Sequence, residues 1–152
     1  MLAAVGIALL GCEEGGGPES GTWNFVAGEL TRNTCNYDQV GGIAGDFTLS
    51  NNGDGSLTID PEDGTDPFEC ELDGDDFDCP ELFQGESPIM GFDAVLLTHA
   101  RAEGSFSSST EGSGAQHGRV ECEGGDCSAL ASSVGATLPC EFSETFTARL
   151  RD

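Results

Sequence analysis

The sequence predicts an all-β domain, an antiparallel meander that forms a small barrel or sandwich and is stapled by disulfides. Three observations support this prediction. Segments that alternate apolar and polar residues recur along the chain, turns rich in glycine, asparagine and aspartate separate them, and six cysteines lie among them. A length of 152 residues suggests one domain.

The final segment, residues 140–150, shows the alternation most clearly. Cys140, Phe142, Phe146, Ala148 and Leu150 share one parity, polar side chains take the other, and only Glu144 interrupts the apolar face. This is the pattern of a strand buried on one side. Other predicted strands are 21–27, 46–50, 56–60 and 94–103, the last of which also has some helical character at its start. About eight or nine strands are expected.

A cysteine hairpin is predicted between residues 68 and 79. A two-residue turn at Gly74 and Asp75 places Cys70 opposite Cys79 at a non-hydrogen-bonded position, where facing side chains lie closest. A disulfide across this hairpin is therefore expected.

The same construction applies to Cys122 and Cys127, with a turn at Gly124 and Gly125. By elimination, Cys35 pairs with Cys140 and links the beginning of the domain to its last strand. A metal or redox site is the alternative, but these spacings match neither the usual zinc patterns nor a C-x-x-C motif. Three structural disulfides are expected, as in other exported domains.

The N-terminus has the features of a targeting segment. Residues 2–10 are apolar or small, too few to span a bilayer, and are followed by Gly11 and Cys12. The end of this segment, Leu9-Leu10-Gly11-Cys12, resembles the lipobox of bacterial lipoproteins. The resemblance implies a signal peptide over 1–11 and a lipid on Cys12, the new N-terminus. No basic residue precedes the apolar run, which we expect to reflect an initiation codon a few positions upstream.

Residues 12–20 are predicted to be a flexible acidic tether, because glycine, proline and acids leave nothing to bury. The β domain is expected to occupy 21–152. Together these features predict an exported protein, held by its lipid at the outer membrane or cell surface.

The charge of the chain is extreme. Twenty-eight acidic residues oppose 5 basic ones, all of them arginine, which gives a formal net charge of -23. Such a surface repels nucleic acid and anionic headgroups, and it favours basic or cationic partners. The lack of lysine also excludes Schiff-base chemistry and a P-loop.

A wider resemblance accompanies this pattern. An opening Gly-Thr-Trp at 21–23, a cysteine a dozen residues later, successive hairpins and a closing Cys-x-Phe-x-x-x-Phe-Thr-Ala-Arg at 140–149 are similar to small lipocalin-like β domains of Gram-negative surface lipoproteins. The resemblance implies the fold and the anchoring rather than an activity.

Candidate chemistry is sparse. His99 and His117 lie on the polar parity of their segments and are expected to face solvent. No nucleophile motif accompanies them, so no enzyme activity is expected. Calcium is the best cofactor candidate, with carboxylates at Asp60, Glu62, Asp63 and Asp66 as weak ligands, although solvated turns in an acidic protein are the favoured explanation of these acids.

The sequence therefore favours a lipid-anchored, non-enzymatic structural or interaction module. Two alternatives remain open: a lipocalin-like carrier of a small apolar ligand, and a calcium-stabilised adhesion module. A cavity of a few hundred cubic ångströms would favour the carrier.

Overall fold

The computed structural model describes residues 17–36 and 44–152. In these ranges there are eight strands and one helix: β1 (Gly21–Asn33), β2 (Ala44–Asn51), β3 (Ser56–Asp60), β4 (Phe68–Asp73), β5 (Asp76–Pro88), β6 (Val95–Ser108), β7 (Glu111–Glu123), α1 (Cys127–Val134) and β8 (Cys140–Leu150). The predicted signal peptide and Cys12 lie outside the described residues. No helix in the described ranges is long and apolar enough to cross a membrane.

The eight strands form a closed barrel. Each strand pairs antiparallel with the next, and β1 pairs with β8 to complete the ring. Closure removes the two exposed sheet edges that an open meander would leave. The prediction of an all-β antiparallel meander is confirmed, and the architecture is the barrel rather than the sandwich.

The main core of the barrel surrounds Trp23. This side chain is fully buried, as are those of Leu49 and Leu57 on the neighbouring strands. Its ring meets Phe106 edge-on at a centroid distance of 5.7 Å. The alternating pattern of each strand explains this core, because every second side chain points inwards.

Residues 17–20, predicted to be part of the tether, instead pack against this end of the barrel. Pro18 is fully buried, and its carbonyl accepts a hydrogen bond of 3.0 Å from Asn51 Nδ2. The indole nitrogen of Trp23 donates to the carbonyl of Glu19 at 3.0 Å. The segment therefore satisfies buried polar groups of the core and adds apolar area to it, which a reading of its composition did not anticipate.

All three predicted disulfides are present. Cys70–Cys79 joins β4 to β5, with Leu72 opposite Phe77 as the hairpin register requires. The turn begins at Gly74, whose φ of 65° suits glycine.

The longest link joins Cys35 to Cys140 across a sequence separation of 105 residues. This disulfide lies in a second apolar cluster, which also contains Val120 and Phe142. The barrel interior thus has one apolar cluster around Trp23 and another around Cys35–Cys140.

The Cys122–Cys127 pairing is present, but the predicted hairpin around it is wrong. Strand β7 ends at Glu123, and Cys127 is the first residue of α1. Backbone contacts with Asp93 direct the turn: the amides of Gly125 and Asp126 donate to its side chain and carbonyl at 3.1 and 3.0 Å. Alanine and leucine after Cys127 then favour a helix over a return strand.

Candidate functional site

A cavity of about 340 Å³ lies within the barrel. Its walls are mainly apolar, and six phenylalanines are among the lining residues: Phe25, Phe47, Phe68, Phe77, Phe106 and Phe146. Small side chains at Ala100, Ala102 and Ala148, together with Gly112, leave the space between the rings. The volume falls within the range of roughly 300–1,000 Å³ that is typical of small-molecule sites.

Six polar or charged residues interrupt the apolar wall of this cavity: Asp46, Asp63, Gln84, Arg101, Ser113 and Gln116. Gln116 lies on β7, directly opposite Ala102 of β6. Gln84 lies in a register shift of β5, between Phe83 and Gly85, which changes the regular alternation and leaves Gln84 among the lining residues. Its Nε2 is buried without a hydrogen-bond partner.

Glu144 is the buried acid of the barrel. It lies opposite Gln116 in the register of β7 and β8, two residues along the strand from Phe146. Glu144 is only 4% exposed. Its Oε2 atom has no hydrogen-bond partner. Burial raises the pKa of the Glu144 carboxyl, because desolvation penalises the charged form.

The arginines all have carboxylate partners elsewhere. Their ion pairs are Arg32–Glu141 at 2.6 Å, Arg101–Glu103 at 3.6 Å, Arg119–Glu81 at 2.6 Å, Arg149–Glu111 at 3.3 Å and Arg151–Asp46 at 2.9 Å. Since these five are the only basic residues besides the two histidines, the chain supplies no arginine to Glu144.

The histidines belong to a charged network on the other face of β6 and β7. In the register His99 lies opposite Arg119, and Arg101 lies opposite His117. Both imidazoles are about one-fifth exposed, so they are more enclosed than their predicted solvent-facing positions suggested. The Arg119 guanidinium hydrogen-bonds to Glu81 and lowers the pKa of that carboxyl.

His117 bridges a serine and a carboxylate. Its Nδ1 lies 2.7 Å from the hydroxyl of Ser143, and its Nε2 lies 3.3 Å from Glu103 Oε1. A serine that contacts a histidine, which in turn contacts an acid, has the elements of nucleophilic catalysis. Ser143 is only 7% exposed, and it and His117 border the second cavity, which is lined by charged and polar side chains. We interpret the contact as a structural link between β7 and β8.

A second cavity of about 270 Å³ adjoins this network. Charged and polar side chains line it, including Arg32, Arg119, Glu141 and Ser143. Because its arginines already pair with neighbouring carboxylates, an incoming anion would have to displace existing ion pairs. The aromatic cavity is therefore the better candidate for a ligand site.

The predicted calcium ligands are not gathered into one site. No group of three or more potential metal ligands occurs in residues 17–36 and 44–152. Asp60 Oδ1 accepts from the amide of Glu62 at 2.9 Å, and Asp63 Oδ1 accepts from both the amide and the hydroxyl of Thr65. The Thr65 hydrogen bonds lower the pKa of Asp63. Asp60 and Asp63 thus stabilise the β3–β4 turn. Glu62 contributes by accepting a hydrogen bond from the Thr48 hydroxyl. Asp66 lies in the same segment, two residues before β4 begins.

The sequence by itself did not predict a ligand site from these residues. Glu144 was visible as the single break in the apolar face of β8. Gln84 could not be recognised in this way, because the register shift at this position breaks the inward–outward alternation of the preceding residues. Gln116 lies in a stretch rich in glycine and small polar residues, where no apolar pattern marks the inward face.

Comparisons with known proteins provide no further guide to the site. No protein-family model matches the chain, no curated protein matches it significantly, and no solved structure does so.

Proposed function

We propose that this domain binds a small, mainly apolar organic molecule inside its barrel and acts as a carrier or receptor for it rather than as an enzyme. The observation that carries the proposal is the aromatic cavity of about 340 Å³. Six phenylalanine rings supply apolar area, and each methylene group buried against them contributes roughly 0.8 kcal/mol. Gln84 and Gln116 supply the few polar contacts that orient a ligand in such a site.

The cavity changes the balance between the functions that the sequence left open. A purely structural or adhesive module has no need for internal space, and well-packed interiors contain few voids larger than a water molecule. The carrier alternative does require such space. We therefore favour a ligand-binding function over a function as an interaction module. The latter is the alternative if no ligand is found.

The proposal includes a lipid anchor on Cys12, which the lipobox-like sequence Leu9-Leu10-Gly11-Cys12 supports. The anchor would place the carrier at the outer membrane or cell surface. Two acyl signals or more give firm membrane attachment, whereas one chain gives marginal binding. Mass spectrometry of the mature N-terminus tests this part separately, and an unmodified Cys12 would contradict it.

Native mass spectrometry tests ligand binding most directly. The protein would be purified from its own membranes and weighed before and after denaturation. A carrier should show an additional small mass that disappears on unfolding. Ala102→Phe, which places a ring in the cavity, should abolish that mass.

Ala115→Phe is the matched control, because Ala115 lies on β7 one position from Gln116 and so on the opposite face. It should keep the bound mass. A wild-type protein with no additional mass would contradict the carrier proposal and leave an interaction module, to be pursued by cross-linking. Equal loss in both variants would mean that the ring harms the fold rather than fills the cavity.

A further inference from the structure

The buried carboxyl of Glu144 indicates which class of apolar molecule the barrel takes. We propose that the ligand is an organic amine, whose ammonium group pairs with Glu144 while its apolar body lies among the phenylalanines. This inference rests on the proposed ligand-binding function and adds the chemistry of the ligand's polar end.

The first argument is the isolation of this acid. Glu144 is 4% exposed, and its Oε2 has no hydrogen-bond partner. A buried carboxyl without a partner is costly, whereas a carboxylate that meets an opposite charge and a hydrogen-bond donor is stabilised. A positively charged donor would stabilise the ionised form of this carboxyl most strongly.

The second argument is that the chain does not supply this charge. All five arginines pair with other carboxylates, and there is no lysine. The histidine side chains lie beside Glu81, Glu103 and Glu121 instead. A cation for Glu144 must therefore come from a ligand.

The third argument concerns the position of Glu144 beside the cavity and the electrostatic character of the cavity wall. Glu144 does not itself line the cavity, but Gln116, which lies opposite it in the sheet register, and Phe146, two residues along the strand, both do. Aromatic faces attract cations through their quadrupoles, so phenylalanine walls tolerate an ammonium better than aliphatic ones. A net charge of -23 attracts cations and repels carboxylates as they approach.

The energetics of the acid agree with this assignment. Burial alone raises the pKa of Glu144, but a ligand ammonium beside it would favour the ionised form and lower that pKa again. The same oxygen can therefore be neutral in the free protein and charged in the complex. Amine binding should then release protons in a way that alcohol binding does not.

A matched ligand series tests the inference by calorimetry on the folded, disulfide-bonded protein. Phenylbutylamine, phenylbutanol and phenylbutyrate share one apolar body and differ in the polar end. We expect the amine to bind about tenfold more tightly than the alcohol, the difference that one charge-assisted hydrogen bond provides. The carboxylate should bind most weakly.

Glu144→Gln should remove the preference for the amine while it retains binding of the alcohol, which also shows that the variant folds. Glu141→Gln is the control, since Glu141 is on the same strand with opposite parity and pairs with Arg32 on the outer face. It should keep the wild-type preference.

The outcomes separate the two proposals. If the alcohol or the carboxylate binds as well as the amine, or if Glu144→Gln leaves the preference intact, the amine inference fails and the ligand-binding function stands. If none of the three binds at millimolar concentration and the native mass spectrum is empty, both proposals fail.

Discussion

The aromatic ring of Phe142 lies directly over the Cα of Gly118 on the neighbouring strand. These residues are opposite each other in the register of β7 and β8, and a Cβ atom at Gly118 would overlap the ring. A glycine is therefore required here for lack of space rather than for an unusual backbone angle. The contact belongs to the part of the barrel that holds the Cys35–Cys140 disulfide.

We expect Gly118→Ala to destabilise the protein by about 1–3 kcal/mol, the usual cost of overpacking an interior. Urea unfolding would measure the loss. Adding Phe142→Leu should recover part of it, because the smaller side chain makes room for the new methyl group. A double variant less stable than the sum of the two single variants would contradict this explanation.

The three disulfides should differ in their contribution to stability. In the chain-entropy model, a link across 105 residues contributes about 4–5 kcal/mol, and a link across 5 residues contributes about 2 kcal/mol. Replacing Cys35 and Cys140 together by alanine should therefore lower the free energy of unfolding more than replacing Cys122 and Cys127. Denaturant unfolding of the two double variants tests this, and equal losses would show that chain entropy does not set the order.

Glu144 should make stability depend on pH in a defined direction. Its pKa in the folded protein is raised above its ordinary value of 4.5 by desolvation. The folded state therefore prefers the protonated acid, and the stability associated with it is fully present below the unfolded pKa. That stability is lost as the pH rises through the folded pKa.

The wild type should consequently lose stability relative to Glu144→Gln as the pH is raised above 4.5, the ordinary pKa of the carboxyl. Comparing the two proteins at each pH cancels the titration of the shared carboxyls. Unfolding in urea across this range provides the measurement. A constant difference would show that Glu144 titrates as a solvated acid, and a difference that favours the wild type at high pH would show that its carboxylate is stabilised in the folded protein.

Ser143 should not behave as a catalytic nucleophile, despite its 2.7 Å contact with His117. The residue is 7% exposed, and the cavity that it borders is lined by charged and polar side chains, including Arg32, Arg119 and Glu141. A fluorophosphonate probe should leave the folded protein unlabelled, as judged by intact mass. Labelling of Ser143 that is lost in His117→Gln would instead reveal an activated serine and an enzymatic function.

The parts of the fold that depend on local alternation could be predicted from the sequence. The parity of β8 and the turn at Gly74 determine which side chains face each other, so the all-β antiparallel class and the Cys70–Cys79 link followed directly, whereas barrel and sandwich stayed open. The turn after Cys122 could not be read in this way. Its direction depends on Asp93, which is distant in sequence and contacts the turn only once β6 and β7 have paired.

The candidate site shows the same division. The acid at Glu144 was visible because it interrupts a regular apolar face. The cavity itself depends on the balance of side-chain volumes across the closed barrel, including small residues such as Ala102 and Gly112 opposite large rings. No local pattern reports such a balance, because it appears only when strands far apart in the chain share one interior.

The position of Trp23 gives this protein an intrinsic optical probe. It is the one tryptophan of the chain, and it is fully buried. Its ring stacks with Phe47 and meets Phe106 edge-on, and both of these phenylalanines line the cavity. On its other side its indole nitrogen bonds to Glu19 in the segment that covers the barrel end. The fluorescence emission of Trp23 should therefore respond to two separate events in the unmodified protein: binding of a ligand in the cavity, and detachment of residues 17–20 from the barrel.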